Sequence, residues 1–364
     1  MSVLPVLPYL LALAVFAQGT SEFMVAGLVP EVARGLGVSP AAAGSLTAVF
    51  AVGMVVGAPV LAVVGRGWSR RGALLGYLGV FVVVHVAGAL APGFGILLAT
   101  RLAAALATAG FLAVALTVAA DAAPGGEGRA TAVVLTGTTL ACIAGVPAGA
   151  VLGQVWGWRS AFWAVAVVSV PAFAAIARWA PRTETASTPV KAEFAVLKRP
   201  RVLAALGRGA LVNGATFAVF TYLAPLAGFP EGRLPVLLAL FGIGASAGVA
   251  LAGRRPATRK TQVALAAGWL VLALGAGNAT VLFVLVPLQA LLSFAVGSTA
   301  VAEVLRAAPD APALRGAFAT AALNVGAAAG PWLAAGLLGT GHRAPVWLAV
   351  VLATAALVIR EQCS

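Results

Sequence analysis

Apolar stretches, each near the ~20 residues that carry an α-helix across a bilayer core, recur along the whole chain. They read as 6–29, 40–64, 73–91, 95–120, 130–155, 160–180, 202–227, 234–253, 261–278, 280–302, 316–338 and 345–360, the last being the shortest. In lipid every backbone N–H and C=O must find its partner inside the protein, so runs of this length are read as helices. Twelve of them predict an all-α membrane protein. The composition agrees: 62% of the residues are hydrophobic and 9% are charged, against about 25% charged in a soluble globule. The first run has no Lys or Arg before it and extends well past the h-region of a signal peptide, so it reads as an uncleaved first span.

A net charge of +13 would suggest nucleic acid if it lay on one folded face. Instead the basic residues fall in short clusters between the apolar runs, so no nucleic-acid partner is expected. With a cytoplasmic N-terminus, 17 of the 23 Lys and Arg lie at cytoplasmic segments and span ends, 4 lie in outer loops, and Arg101 and Arg208 lie inside spans. That asymmetry predicts a multi-pass membrane protein with both termini in the cytoplasm. The longest connection is rich in Thr, Ser, Pro and charge and separates six spans from six. The predicted organisation is therefore a six-helix bundle over 1–180, a cytoplasmic linker over 181–201 and a second six-helix bundle over 202–364.

The two halves echo each other. Phe50, Gly53 and Gly57 correspond to Phe241, Gly244 and Gly248 at one constant offset, and Pro147, Arg159 and Trp163 to Pro331, Arg343 and Trp347 at another. Gly19-Thr20-Ser21-Glu22-Phe23 loosely echoes Gly214-Ala215-Thr216-Phe217. Matches in corresponding spans imply two related bundles, an arrangement that puts a substrate site near the midplane between the halves.

At this point the chain resembles the major facilitator superfamily over essentially its whole length. Leu97-Leu98-Ala99-Thr100-Arg101 in span 4 is similar to the family's arginine motif. Gly137 followed by Gly145-Val146-Pro147-Ala148-Gly149 in span 5 is similar to the motif of drug:proton antiporters, which implies a role for Gly145, Pro147 and Gly149 in limiting leakage. Within the family the likeness is to actinobacterial chloramphenicol exporters, through Ala17–Met24, Ala109–Leu116, Gly157–Trp163, Ala290–Thr299 and Ala319–Ala328. The resemblance implies the major facilitator fold, with two pseudo-symmetric six-helix bundles, and proton-coupled efflux of a small amphiphilic drug. One departure stands out. Where the family's loop between spans 2 and 3 carries an Asp, this chain has Arg66 in Arg66-Gly67-Trp68-Ser69-Arg70-Arg71, and the loop Arg254–Lys260 also lacks an acid.

Glu22 is the one acid deep inside a span. An isolated carboxylate in lipid is costly, and intramembrane ionisable groups are functional candidates by default. Glu22 lies seven residues from the outer end of span 1 and Arg101 six from that of span 4, so at ~1.5 Å per residue both sit about 10 Å deep. A direct or water-bridged pair is expected, able to take a proton in one conformation and release it in another. Arg208 is near the cytoplasmic end of span 7, where snorkelling is expected. His85 reads as a hydrogen-bonded structural imidazole, and Glu303 is expected to pair near the basic boundary.

For the substrate cavity, Gln18 shares a helix face with Glu22, Asn213 with Phe217, and Gln289 with Ser293 at i, i+4. Phe220, Tyr222 and Asn324 complete the candidates. Amides, hydroxyls and rings suit a neutral, partly aromatic molecule such as chloramphenicol. An exporter of sugars, nucleosides or another natural product is the alternative within transport. A membrane-embedded enzyme is disfavoured: the chain has two His, His85 and His342, and no His, Asp or Cys cluster at metal spacing. Cys142 and Cys363 are far apart, and Cys142 reads as a packing residue. Neither a metal nor a cofactor is expected. The partners are then a small-molecule drug, protons and the lipid bilayer, with the chain acting as a monomer.

Overall fold

The computed structural model describes residues 6–25, 28–180, 182, 190–223, 226, 233–312, 314–337, 339, 341 and 343–359. Residues 183–189 of the linker, His342, Arg360 and Cys363 lie outside these, as does the side chain of Arg66. Each span corresponds to a helical element: α1 (Leu7–Met24), α2 (Pro40–Val64), α3 (Arg70–Ala89), α4 (Phe94–Asp121), α5 (Glu127–Leu140, a π-turn Ala141–Gly145, then Val146–Trp156) and α6 (Trp158–Trp179). The second set is α7 (Pro200–Thr221), α8 (Arg233–Arg254), α9 (Arg259–Gly275), α10 (Ala279–Ala307), α11 (Arg315–Leu337) and α12 (Ala344–Val358). Eight of the described helices are individually long and apolar enough to cross a bilayer. With 15 residues, α12 is the short one, about 22 Å at 1.5 Å per residue.

Helix starts follow local chemistry. The Ser39 and Ser69 side chains accept from Ala42 N and Gly72 N, each at 3.1 Å, and so satisfy free N–H groups at the starts of α2 and α3. Between helices, the packing of the first six is repeated by the second six. The neighbours α1–α5, α2–α4, α3–α4, α3–α6 and α1–α6 recur as α7–α11, α8–α10, α9–α10, α9–α12 and α7–α12. Small residues permit this closeness. A Cβ on Gly149 would stand 2.7 Å from that of Met24 in α1, and one on Gly145 would run into Thr20. In the second bundle Gly326 and Gly330 of α11 lie directly on the α7 backbone at Ala210 and Gly214.

The bundles meet along α5–α8, α11–α2 and α11–α4. Toward the end that carries most of the Arg and Lys they are tied together. Ser246 donates to Thr139 at 2.9 Å, a Cβ on Gly253 would be 2.9 Å from Ala132 Cβ, and one on Gly316 would be 2.6 Å from Thr117 Oγ1. Asp121, at the end of α4, pairs with Arg70 at 2.5 Å and with Arg315 at the start of α11. The loop that lacks an acid is thus tied through Arg70 to an acid from the end of α4.

Two other sequence expectations change at this end. Arg208 does not snorkel: it is 3% exposed and ion-paired with Glu303 of α10, because the facing helix offers a carboxylate closer than water. The second part of the linker is docked rather than free. It forms a helical turn, Val190–Phe194, whose buried Glu193 accepts from the backbone N–H of Leu314 at 2.9 Å. Arg199 pairs with Asp310 and donates to the Ala307 carbonyl at 3.2 Å.

Candidate transport site

A cavity of about 110 Å³ lies between the two bundles. From the first bundle α1 contributes Gln18, Glu22 and Phe23, α4 contributes Thr108, and α5 contributes Thr138 and Cys142. From the second, α7 contributes Asn213 and Phe217, α10 Ser293 and Ser298, and α11 Asn324. Phe23 and Phe217 stack across the divide, with centroids 6.5 Å apart and planes 12° from parallel.

Six of the sequence candidates therefore share one chamber: Gln18, Glu22, Asn213, Phe217, Ser293 and Asn324. Three others lie off it. Phe220 is turned into the second bundle, 4.6 Å from the Phe241 ring. The Tyr222 hydroxyl donates to the Pro331 carbonyl at 3.4 Å. Gln289 is fully buried and spends its amide on the Leu265 carbonyl at 2.9 Å, tying α10 to α9. Gly145 and Gly149 line the α1–α5 seam instead of the chamber, and Pro147, just after the π-turn, is exposed. A proline cannot donate to the carbonyl one turn back, so a widened turn at this point matches the missing bond.

Three polar groups in the wall are buried and have no partner within the protein: the Gln18 amide, Thr108 Oγ1 and Ser293 Oγ. A buried polar group without a hydrogen bond is unfavourable, so these are the atoms that a guest in the chamber would satisfy. Asn213 and Asn324 are better held, their amide nitrogens donating to the Leu323 carbonyl at 2.8 Å and the Thr320 carbonyl at 2.9 Å. Thr108, Thr138, Ser298 and Cys142 were not among the sequence candidates for the wall. Thr108 falls two turns beyond Arg101 in α4, and that spacing was the one available signal.

Glu22 and Arg101 do not form a direct pair. Arg101 is 1% exposed, lies with its guanidinium 4.3 Å from the centre of the Phe50 ring, and donates from Nη1 to Ser21 Oγ at 2.7 Å. Its Nε and Nη2 have no hydrogen-bond partner. Ser21 Oγ is also 2.6 Å from His85 Nε2, and His85 Nδ1 is 2.7 Å from the Phe81 carbonyl. A carbonyl can only accept, so Nδ1 carries the hydrogen; Nε2 of the neutral ring then accepts from the Ser21 hydroxyl. Successive residues of α1 point about 100° apart, which turns Ser21 toward α3 and α4 while Glu22 faces the chamber.

A chamber walled by both halves of a repeated six-helix plan, with an acid in its wall, defines a membrane transporter. The sequence model of the Major Facilitator Superfamily matches residues 11–299, and the chain belongs to that superfamily. It is 50% identical to the chloramphenicol resistance protein of Streptomyces lividans, over 98% of this chain and 95% of that one. It is 34% identical to the inner membrane transport protein YdhP of Escherichia coli (strain K12), over 96% and 94%. Among solved structures, the human organic anion transporter MFSD10 (TETRAN) superposes with a TM-score of 0.77 at 17% identity, covering 98% of both chains. The transporter FucP in its outward conformation gives 0.75 at 12% identity over the same shares. At those identities the two structures share the fold alone.

Proposed function

We propose that this transporter exports a small, neutral, partly aromatic drug of the chloramphenicol kind in exchange for protons, with its two bundles rocking about the central chamber. The observation that carries the reading is Glu22: among the described residues it is the one acid on the wall of a chamber lined by both bundles. The similarity to a chloramphenicol resistance protein supports the substrate class. So does the wall, where Phe23, Phe217 and Phe294 offer rings beside unpartnered amide and hydroxyl groups. At about 110 Å³ the chamber is smaller than the ~300 Å³ at which drug-sized sites begin, so the state seen is contracted and must widen to load. If the basic end is cytoplasmic, its ties between the bundles make this a state closed to the cytoplasm.

The test is chloramphenicol transport by reconstituted protein in vesicles with an imposed pH gradient. Glu22→Gln is expected to abolish gradient-driven transport while drug binding persists. Proton-driven transport unchanged in that variant removes Glu22 from the mechanism. Exchange of a neutral drug for a proton moves charge, so the rate should also respond to membrane potential.

A further inference from the structure

Next to the acid, the first bundle holds a second acceptor for the same cation. Arg101 reaches α1 at Ser21, one residue before Glu22, and two of its guanidinium nitrogens are left without a partner. Buried guanidinium N–H groups are ordinarily satisfied, so this arrangement keeps hydrogen-bonding capacity in reserve. Ser21 is held from behind. His85 takes its hydroxyl hydrogen, which turns the oxygen lone pairs toward Arg101, and His85 is fixed in turn by the Phe81 carbonyl and by the Phe81 ring 4.0 Å away.

We propose that Ser21, oriented by His85, is a positioning residue that holds Arg101 away from Glu22 while Glu22 carries a proton, and releases it toward the carboxylate when the proton leaves. The inference rests on the reading of Glu22 as the proton carrier. Arg101 is already hydrogen-bonded to α1 at Ser21, so the exchange moves a hydrogen bond from one residue of that helix to the next. The stack on Phe50 can persist throughout, since it engages the face of the group and leaves its edge N–H groups free. The charged and titratable groups around Glu22 are few: Arg101 from α4, His85 from α3 behind Ser21, and the Cys142 thiol from the π-turn of α5. The second bundle brings Asn213 and Phe217 to the chamber opposite and no charge. Control of the Glu22 proton therefore falls on Arg101, and control of Arg101 on Ser21.

The experiment measures proton-driven chloramphenicol transport against pH in vesicles for Ser21→Ala, Ser21→Thr, His85→Leu and His85→Gln, with Glu22→Gln alongside. Without the Ser21 hydroxyl, Arg101 turns to Glu22 more readily and competes with the proton. Ser21→Ala is then expected to move the midpoint of the pH profile to the acid side by roughly 1–2 units, the effect of one hydrogen bond to a charged group. His85→Leu is expected to move it the same way. Ser21→Thr and His85→Gln, which keep a hydroxyl and an acceptor, are expected to leave it near the parent value. Variants that lower the rate equally at every pH, with an unmoved midpoint, overturn the proposal and leave Ser21 a packing tie. Failure of the underlying reading looks different, because Glu22→Gln would then still transport with the gradient.

Discussion

The two bundles share one packing plan and treat their buried charges differently, although each also leaves polar atoms without a partner, Gln18 and Thr108 in the first and Ser293 Oγ and Gln289 Oε1 in the second. In the second bundle the deep cation is paired, Arg208 with Glu303, and the deep amide of Gln289 donates to the Leu265 carbonyl. In the first, Arg101 keeps two nitrogens unpartnered, Gln18 keeps a whole amide unpartnered, and Glu22 faces the chamber. A paired charge ties its helices together and fixes one arrangement, whereas a charge short of a partner can change partners between arrangements. The buried cation of the first bundle is placed to switch and that of the second to hold.

The largest effect expected is on Arg101. Arg101→Ala should reduce gradient-driven transport to background while the protein still elutes as a folded species. Arg101→Lys should not rescue it, since an ammonium lacks the planar fork that stacks on Phe50 while bonding to α1. Transport retained in Arg101→Lys would break the comparison at its centre.

In the second bundle the expected effects are on stability. Glu303→Gln should destabilise by roughly 2–4 kcal/mol, somewhat below the ~3–5 kcal/mol for a fully buried pair because Glu303 is partly exposed. The double replacement Arg208→Met with Glu303→Leu should regain most of it. Thermal unfolding in detergent reads both, and the pH profile of transport in the double variant should stay at the parent value.

For the packed glycines, the expected loss depends on whether the neighbour is backbone or the end of a side chain. Gly326→Ala places a methyl group against the Ala210 carbonyl and the Gly214 nitrogen, which are backbone and cannot yield, so a loss of about 1–3 kcal/mol is expected. Gly153→Ala meets the far end of the Leu28 side chain, which can turn aside, and should be near neutral. Equal losses at the two glycines would remove the distinction between a backbone neighbour and a yielding side chain.

The smallest effect is at the basic end. Asp121→Asn weakens the tie to Arg70 and Arg315, a partly exposed pair whose loss should shift the balance of states only a few-fold. Labelling of Cys142 in the chamber wall by a maleimide added from the basic side should speed up accordingly. An unchanged labelling rate would show that backbone contacts such as Gly316 on Ala113 close that end unaided.

The spans, their number and the repeat were legible in the sequence because each is a local property: an apolar length, a basic cluster, a recurring Gly or Pro. The site was legible in part. Glu22, Arg101 and Asn213 announce themselves as polar residues in apolar runs. Which way they point does not, since helices buried on several sides carry no single apolar stripe to set their orientation. Gln289 and Ser293 share a face at i, i+4, yet the longer side chain reaches back to Leu265 and only the shorter one meets the chamber. Ser21 was hidden beside its charged neighbour, because a hydroxyl in a helix looks ordinary until two other helices bring His85 and Arg101 to it. The tie at Asp121 was hidden for a similar reason, its partners being 51 and 194 residues away in the chain.

The docked end of the linker limits how far the molecule can travel. With Glu193 fastened to the first turn of α11 and Arg199 to Asp310, the connection left to pay out between α6 and that anchorage runs only from Ala180 to Val190. Ten residues reach at most about 35 Å when fully drawn out. Any opening of the basic end must fit within that leash, or must first unfasten Glu193 from α11.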